Sequence, residues 1–314
     1  MNQIKNTILQ GDVIEKLKEI PDEYVDCIIT SPPYFGLRDY SVDGQIGLEK
    51  SLEEYLNKML GVTSELKRVL KKEGTMFWNH GDSYGTGSGS GIRSGKQATN
   101  RGTQTNDNWQ KNGKQKVVGY EKCLLLQAHR LALRMIDEQQ WILRNVIIWH
   151  KPNAMPSSVI DRFTVDYEPV LFLTKTRSYY FEQQFEPHIW ADRDKRSERH
   201  WKNNDAKSGK MTQQRYSMKR VSYGKQGKNK RCVWKIPTKG VKEAHFATFP
   251  EALIEPMIKA GCPEGGLILD PFMGAGTTAL VAKKLNRNYL GIELNPEYIK
   301  IAEKRIREVP DKLI

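Results

Sequence analysis

The chain has 314 residues, of which 38% are hydrophobic, enough for one large domain or a domain with a sizeable insertion. A formal net charge of +13 points to a polyanionic partner. Nucleic acid ranks before membrane, because no apolar run is long enough to span a bilayer. Cys27, Cys123, Cys232 and Cys262 lie far apart without a C-x-x-C spacing, which argues against zinc and against a disulfide framework and fits a reducing cytoplasm. Asn2 to Asn6 lead directly into a strand with no secretory pattern.

Thr7–Gln10 reads as a strand ended by Gly11-Asp12, and a helix is predicted over Val13–Ile20 from the spacing of Val13, Leu17 and Ile20. Asp12, at the junction, either caps that helix or reaches a ligand. Tyr24–Thr30 is a second strand, running straight into Ser31-Pro32-Pro33-Tyr34. The two prolines have fixed φ and no N–H, and each pushes the residue before it into extended backbone. A stiff loop at the carboxyl end of a strand is where open α/β sheets place their ligands. An amine held there would meet hydrogen-bond acceptors and the flat face of Tyr34. A Pro-rich turn with Tyr34 packed on the core is the alternative.

Ser51–Leu70 has helical periodicity, and Thr75–Trp78 is a continuous apolar strand of the buried, parallel type. It leads to Asn79-His80-Gly81-Asp82, where His80 and Asp82 invite a catalytic-pair reading but read first as loop-stabilising residues behind the site. From Gly85 to Gly119 the composition shifts to Gly, Ser, Asn, Gln, Lys and Arg, so a mobile basic loop that closes over a phosphate backbone is expected. A helix over Leu124–Ile136 and strands over Trp141–Trp149 and Val165–Thr174 follow, the last two paired antiparallel. Residues 175–240 interleave cations with aromatics, densest at Lys219-Arg220 and Lys225–Arg231, a pattern that suits a DNA-reading insertion.

Core-like sequence resumes at His245, with a helix opened by Phe249-Pro250-Glu251 and closed by Gly261. The strand Leu267–Asp270 then leads through Pro271-Phe272-Met273-Gly274-Ala275-Gly276-Thr277-Thr278 into a helix over Ala279–Leu285. Arg287–Glu293 is a further strand, and Pro296 opens the last helix at its favoured first position. The glycines let backbone pass close to a ligand at a helix N-terminus. Glu293, about 20 residues beyond, is placed like the carboxylate that binds ribose hydroxyls in nucleotide folds. Neither a dinucleotide fingerprint nor a P-loop is present, so a nucleoside without phosphates, such as S-adenosyl-L-methionine, fits best.

Taken together, Ser31-Pro32-Pro33-Tyr34 near the start and Asp270 to Thr277 near the end resemble the β-class amino DNA methyltransferases. In that family the catalytic motif precedes the target-recognition segment and the cofactor motif comes last. Asp12, Ile147–Asn153 and His245–Pro250 extend the resemblance over most of the chain. It implies an α/β fold with a doubly wound, mostly parallel, seven-stranded Rossmann-like sheet containing one antiparallel strand. Residues 1–174 and 241–314 would form the catalytic domain, and 175–240 an inserted target-recognition region. Ser31, Pro32, Pro33 and Tyr34 would be catalytic. Asp12, Phe249, Asp270, Phe272, Gly274, Gly276, Thr277 and Glu293 would hold S-adenosyl-L-methionine, with no metal. Serine at the first motif position is typical of cytosine-N4 enzymes, with adenine N6 the alternative target. An RNA or small-molecule N-methyltransferase and a non-catalytic DNA-binding regulator are more distant readings. The implied partner is double-stranded DNA, with no membrane. A cognate restriction endonuclease and either a monomer or a homodimer are left open.

Overall fold

The structure, a computed structural model, describes residues 4–37, 42–85, 120–187, 227–239 and 250–310. The chain forms two compact units, Met1–Glu182 with Cys232–Ile314 and, separately, Gln183–Arg231. Among the described residues the first half runs β1 Thr7–Gln10, α1 Val13–Lys18, β2 Val25–Thr30, α2 Leu52–Val69, β3 Leu70–Asn79, α3 Gln127–Asp137, β4 Ile142–His150 and β5 Tyr167–Thr174. The second half runs β6 Phe185–Glu186, β7 Lys228–Asn229, β8 Val233–Lys235, α4 Glu251–Gly261, β9 Leu267–Asp270, α5 Thr277–Lys284, β10 Asn288–Glu293 and α6 Pro296–Arg307. No described helix is long and apolar enough to cross a membrane.

The larger unit holds one sheet in the order β1-β10-β9-β2-β3-β5-β4-β8. β5 runs antiparallel to both its neighbours, and the remaining pairs are parallel. The doubly wound, mostly parallel form is the expected one, but the sheet has eight strands where seven were expected. The addition is β8, from the segment that composition assigns to the recognition region. Its burial alternates, with Trp234 buried between exposed Val233 and Lys235, and that single tryptophan joins the core beside Trp149.

The continuous apolar runs of the central strands are explained by cover on both faces. Ile28, Met76, Trp78, Leu171 and Leu269 pack with α1, α2 and α3 on one side. Cys27, Ile29, Phe77, Phe172 and Ile268 pack with α4, α5 and α6 on the other. Element ends differ from the sequence expectation where local backbone intervenes. The helix expected from Leu124 begins at Gln127, because Leu126 is left-handed (φ 55°) and Leu125 donates its N–H to Ser83 O at 2.9 Å. The strand expected from Thr75 begins at Leu70, directly off α2.

In the smaller unit β6 and β7 pair antiparallel. Glu186 receives Arg231 Nε at 2.5 Å and Lys228 Nζ at 3.3 Å, so two cations of the densest basic run are engaged with a carboxylate. The expected loop over 85–119 lies outside the described residues except Gly85, as do residues 188–226 of the expected recognition region.

At the carboxyl end of β2, the Ser-Pro-Pro-Tyr loop rests on a buried hydrogen-bond chain. Trp78 Nε1 donates to His80 Nδ1 at 3.2 Å, so Nδ1 carries no proton and the neutral ring keeps its hydrogen on Nε2. Nε2 then donates to Tyr55 Oη at 3.0 Å, and Tyr55 donates to the Pro33 carbonyl at 2.9 Å. The His80 ring also stacks under Tyr34, with centroids 5.1 Å apart and planes 19° apart. Burial holds the His80 pKa down at about 3. A base whose folded pKa is depressed costs stability as pH falls from its unfolded value near 6.5, because only the unfolded chain takes up the proton. Between pH 7 and pH 5 this one group should remove roughly 2 kcal/mol. Urea unfolding of wild type and His80→Gln at the two pH values checks it. The variant should lose less stability than wild type by about that amount, and an equal loss in both proteins would show that His80 does not titrate this way.

Candidate active site

Strand carboxyl ends converge on one cavity of about 300 Å³. β1 delivers Gly11 and Asp12, β2 delivers Ser31 to Tyr34, and β3 delivers Asn79. The turn after β9 supplies Pro271 to Ala275, and the end of β10 supplies Ile292 to Asn295. The order of the sheet reverses between β9 and β2, the switch point at which open α/β sheets bind ligands.

One end of the cavity is lined by carboxylates and a close-passing backbone. Asp12 is the cap of α1: Oδ1 accepts from Ile14 N at 2.9 Å and Glu15 N at 3.1 Å, and the residue also lines the cavity. Glu293 Oε2 accepts from Gly274 N and Oε1 from Asn295 N, both at 2.8 Å. Each oxygen therefore retains capacity for a further donor. Burial raises the Glu293 pKa. Phe272, Gly274 and Thr277 line the same end. Gly276 does not line it; its φ is +75°, and a Cβ there would meet Ala302 Cβ at 2.6 Å. That glycine lets α6 close against the turn.

Asp270 is also absent from the lining. It is fully buried, and its carboxylate accepts from Thr30 Oγ1 at 2.8 Å, Thr278 Oγ1 at 2.6 Å and Phe272 N at 3.1 Å. Burial lifts its pKa to about 6 against those three hydrogen bonds. Asp270 thus shapes the turn from beneath rather than facing the cavity. Phe249 lies outside the described residues.

The other end is built on Ser31, Pro32, Pro33 and Tyr34, all four of which line the cavity. Tyr34 Oη is 2.9 Å from Ser31 Oγ, 3.2 Å from Glu168 Oε2 and 3.5 Å from Asn79 Oδ1. Burial, and then the Glu168 charge, raise the Tyr34 pKa well above the usual phenol value, so the phenol keeps its proton. Gly81 permits this arrangement, since a Cβ there would sit 2.5 Å from Tyr34 Cε2. Lys151 Nζ donates to Glu168 Oε1 and lies 4.3 Å from the centroid of the Trp149 ring.

Glu168 and Asn79 are site residues that sequence reasoning missed as such, and Lys151 was noticed only as part of the family-like stretch Ile147–Asn153. Glu168 had one available signal. A charged residue opening an otherwise apolar antiparallel strand lies at the same sheet edge as the carboxyl ends of the parallel strands.

Comparison with known proteins agrees with this architecture. The chain matches the N6/N4 DNA methylase family over residues 25–304. It is 38% identical over 302 residues to the type II methyltransferase M.Cfr9I of Citrobacter freundii, covering 96% of this chain and 87% of that one. To M.SmaI of Serratia marcescens it is 35% identical over 310 residues, covering 95% and 90%. Among solved structures, the PvuII DNA methyltransferase (cytosine-N4-specific) superposes with a TM-score of 0.62 at 18% identity, over 99% of this chain and 88% of that one. The complex of M1.HpyAVI with SAM gives 0.53 at 20% identity, over 96% and 98%. At those identities the structural matches establish the fold, and the sequence matches establish the family. The chain is a member of the N6/N4 family of DNA methylases.

Proposed function

We propose that this DNA methylase transfers a methyl group from S-adenosyl-L-methionine to the exocyclic N4 of a cytosine flipped out of duplex DNA. The observation that carries the reading is the shared cavity, with Asp12 and Glu293 at one end and Ser31 to Tyr34 at the other. Glu293 has lone pairs to spare for ribose hydroxyls, and the Gly274 turn offers backbone without a side chain, so the residues fit such a nucleoside. In this reading Asp12, Phe272, Gly274, Thr277 and Glu293 hold the cofactor directly. Asp270 and Gly276 set the turn, and Phe249 is assigned by resemblance alone. When bound, the cofactor supplies an electrophilic methyl group on a sulfonium.

The chain's own residues position the other reactant. An exocyclic amine has its lone pair delocalised into the ring and is a poor nucleophile. Ser31 Oγ and the Pro32 carbonyl accept its two N–H bonds and favour a pyramidal nitrogen, while Tyr55 occupies the Pro33 carbonyl. With His80 stacked on one face of Tyr34, the other face is the one assigned to the extruded base. Holding the reactants in line can lower the barrier by roughly 7–11 kcal/mol. Duplex DNA is held in this reading through the basic segments 85–119 and 175–240. A cognate restriction endonuclease belongs to the same proposal, as does a monomeric or homodimeric state.

Cytosine rests on Ser31, and adenine N6 is the other target of the same class. Duplex DNA methylated with labelled cofactor and digested to nucleosides should yield N4-methylcytosine by mass. N6-methyladenine would move the target base, and label found only in RNA or small molecules would overturn the reading. Glu293→Ala should weaken cofactor binding by roughly 1.5–3 kcal/mol if its hydrogen bonds are charge-assisted, read by calorimetry; unchanged affinity would remove Glu293 from the site. Ser31→Ala should lower single-turnover transfer by on the order of 10²–10³ with DNA and cofactor affinities nearly intact, and a wild-type rate would make Ser31 a turn residue only.

A further inference from the structure

The hydrogen bonds around Tyr34 have a forced direction. Tyr34 Oη has one proton and three oxygen neighbours: Ser31 Oγ at 2.9 Å, Glu168 Oε2 at 3.2 Å and Asn79 Oδ1 at 3.5 Å. Glu168 is salt-bridged to Lys151 through its other oxygen and can only accept. Asn79 is oriented by its Nδ2, which donates to Pro169 O at 3.3 Å, so the atom it turns to Tyr34 is also an acceptor. A phenol pointed away from both would leave a carboxylate oxygen facing a lone pair in a half-buried site, a costly arrangement. The Tyr34 proton therefore goes to the Glu168 and Asn79 side. Ser31, 2.9 Å away, can keep its contact with Tyr34 only by donating. Its proton is committed, and Ser31 Oγ presents lone pairs alone to the cavity.

We propose that Glu168, anchored by Lys151 and acting through Tyr34, makes Ser31 an obligate acceptor and thereby restricts the site to bases bearing an exocyclic amine. A base with a carbonyl oxygen at that position, such as uracil, thymine or the hypoxanthine counterpart of adenine, would face acceptor against acceptor. A free serine hydroxyl would rotate and donate to that oxygen instead, so the neighbouring carboxylate turns a permissive group into a selective one. The role is one of positioning, since Glu168 reaches the base through two other side chains. The inference rests on the proposed amine-methylating function but not on which amino base is the target.

The test is equilibrium binding to a duplex whose methylation site is first mapped on wild-type product. Two duplexes are compared, one with the natural target base and one with its oxo analogue, uracil for cytosine or hypoxanthine for adenine. Wild type should prefer the amino base by roughly tenfold or more. Glu168→Gln offers Tyr34 an amide donor, frees the chain to reverse, and should cut that preference by about threefold or more, the Pro32 carbonyl, which can only accept, keeping the remainder. Dividing the two proteins' ratios cancels the differing stability of the two duplexes. Tyr34→Phe should shrink it equally, and the double variant no further, because both cut one chain. Cofactor affinity and the thermal midpoint should stay near wild type in Tyr34→Phe, which carries the test if Glu168→Gln is poorly folded. An undiminished preference in either folded variant overturns the proposal. A wild-type protein that methylates no base of DNA defeats the functional reading instead, and the product digest detects this separately.

Discussion

The site depends on a buried histidine that must stay neutral. His80 accepts from Trp78 on one nitrogen and donates to Tyr55 on the other, and a protonated ring could not do both. Tyr55 passes the constraint to the Pro33 carbonyl, and the imidazole plane supports Tyr34 from behind. The prolines make the loop stiff, but stiffness alone does not say where a loop points. Its direction is set by three aromatic side chains from α2 and the end of β3, all buried to near-zero exposure. Burial in turn keeps the ring neutral, so loop placement and packing share one cause.

A second tie joins residues that are 240 positions apart in sequence. Thr30, the last residue of β2, donates to Asp270, the last residue of β9. These strands flank the switch point, so the bond sets the separation between the Ser-Pro-Pro-Tyr loop and the turn that carries Gly274. The same carboxylate fixes the first turn of α5 through Thr278 and the loop through Phe272 N. A charge buried without countercharge is expensive, and the three donors to Asp270 offset part of that cost.

Much of this was legible in the sequence because it depends on local rules. Strands covered on both faces read as unbroken apolar runs, and β1 and β9 fall where expected. Pro-Pro after a strand, Gly-x-Gly before a helix and a carboxylate after the next strand mark the loops that meet at the cavity. The parts that were not legible depend on distant neighbours. Nothing in the Asp270 motif says that its side chain turns inward to two threonines. β8 is three residues in a polar stretch, recruited by one buried tryptophan. His80 was readable as a loop-stabilising residue, but not its tautomer, which needs Trp78 and Tyr55 placed on either side.

Glu168 shows why the reversed strand matters. In a purely parallel sheet every side chain at the ligand edge comes from a carboxyl end, followed by a loop that is free to vary. β5 enters that edge by its amino end instead, paired to β4 from Tyr167 onward and to β3 from Val170. A residue at its start is thus fixed by strand register on the β4 side, with Trp149 opposite Glu168. The Lys151 ammonium, two residues beyond Trp149, sits over that indole and on the carboxylate together. A charged pair held by register, aromatic contact and a phenol has little freedom to reorient. That rigidity is what a hydrogen-bond direction requires if it is to discriminate between an amine and a carbonyl.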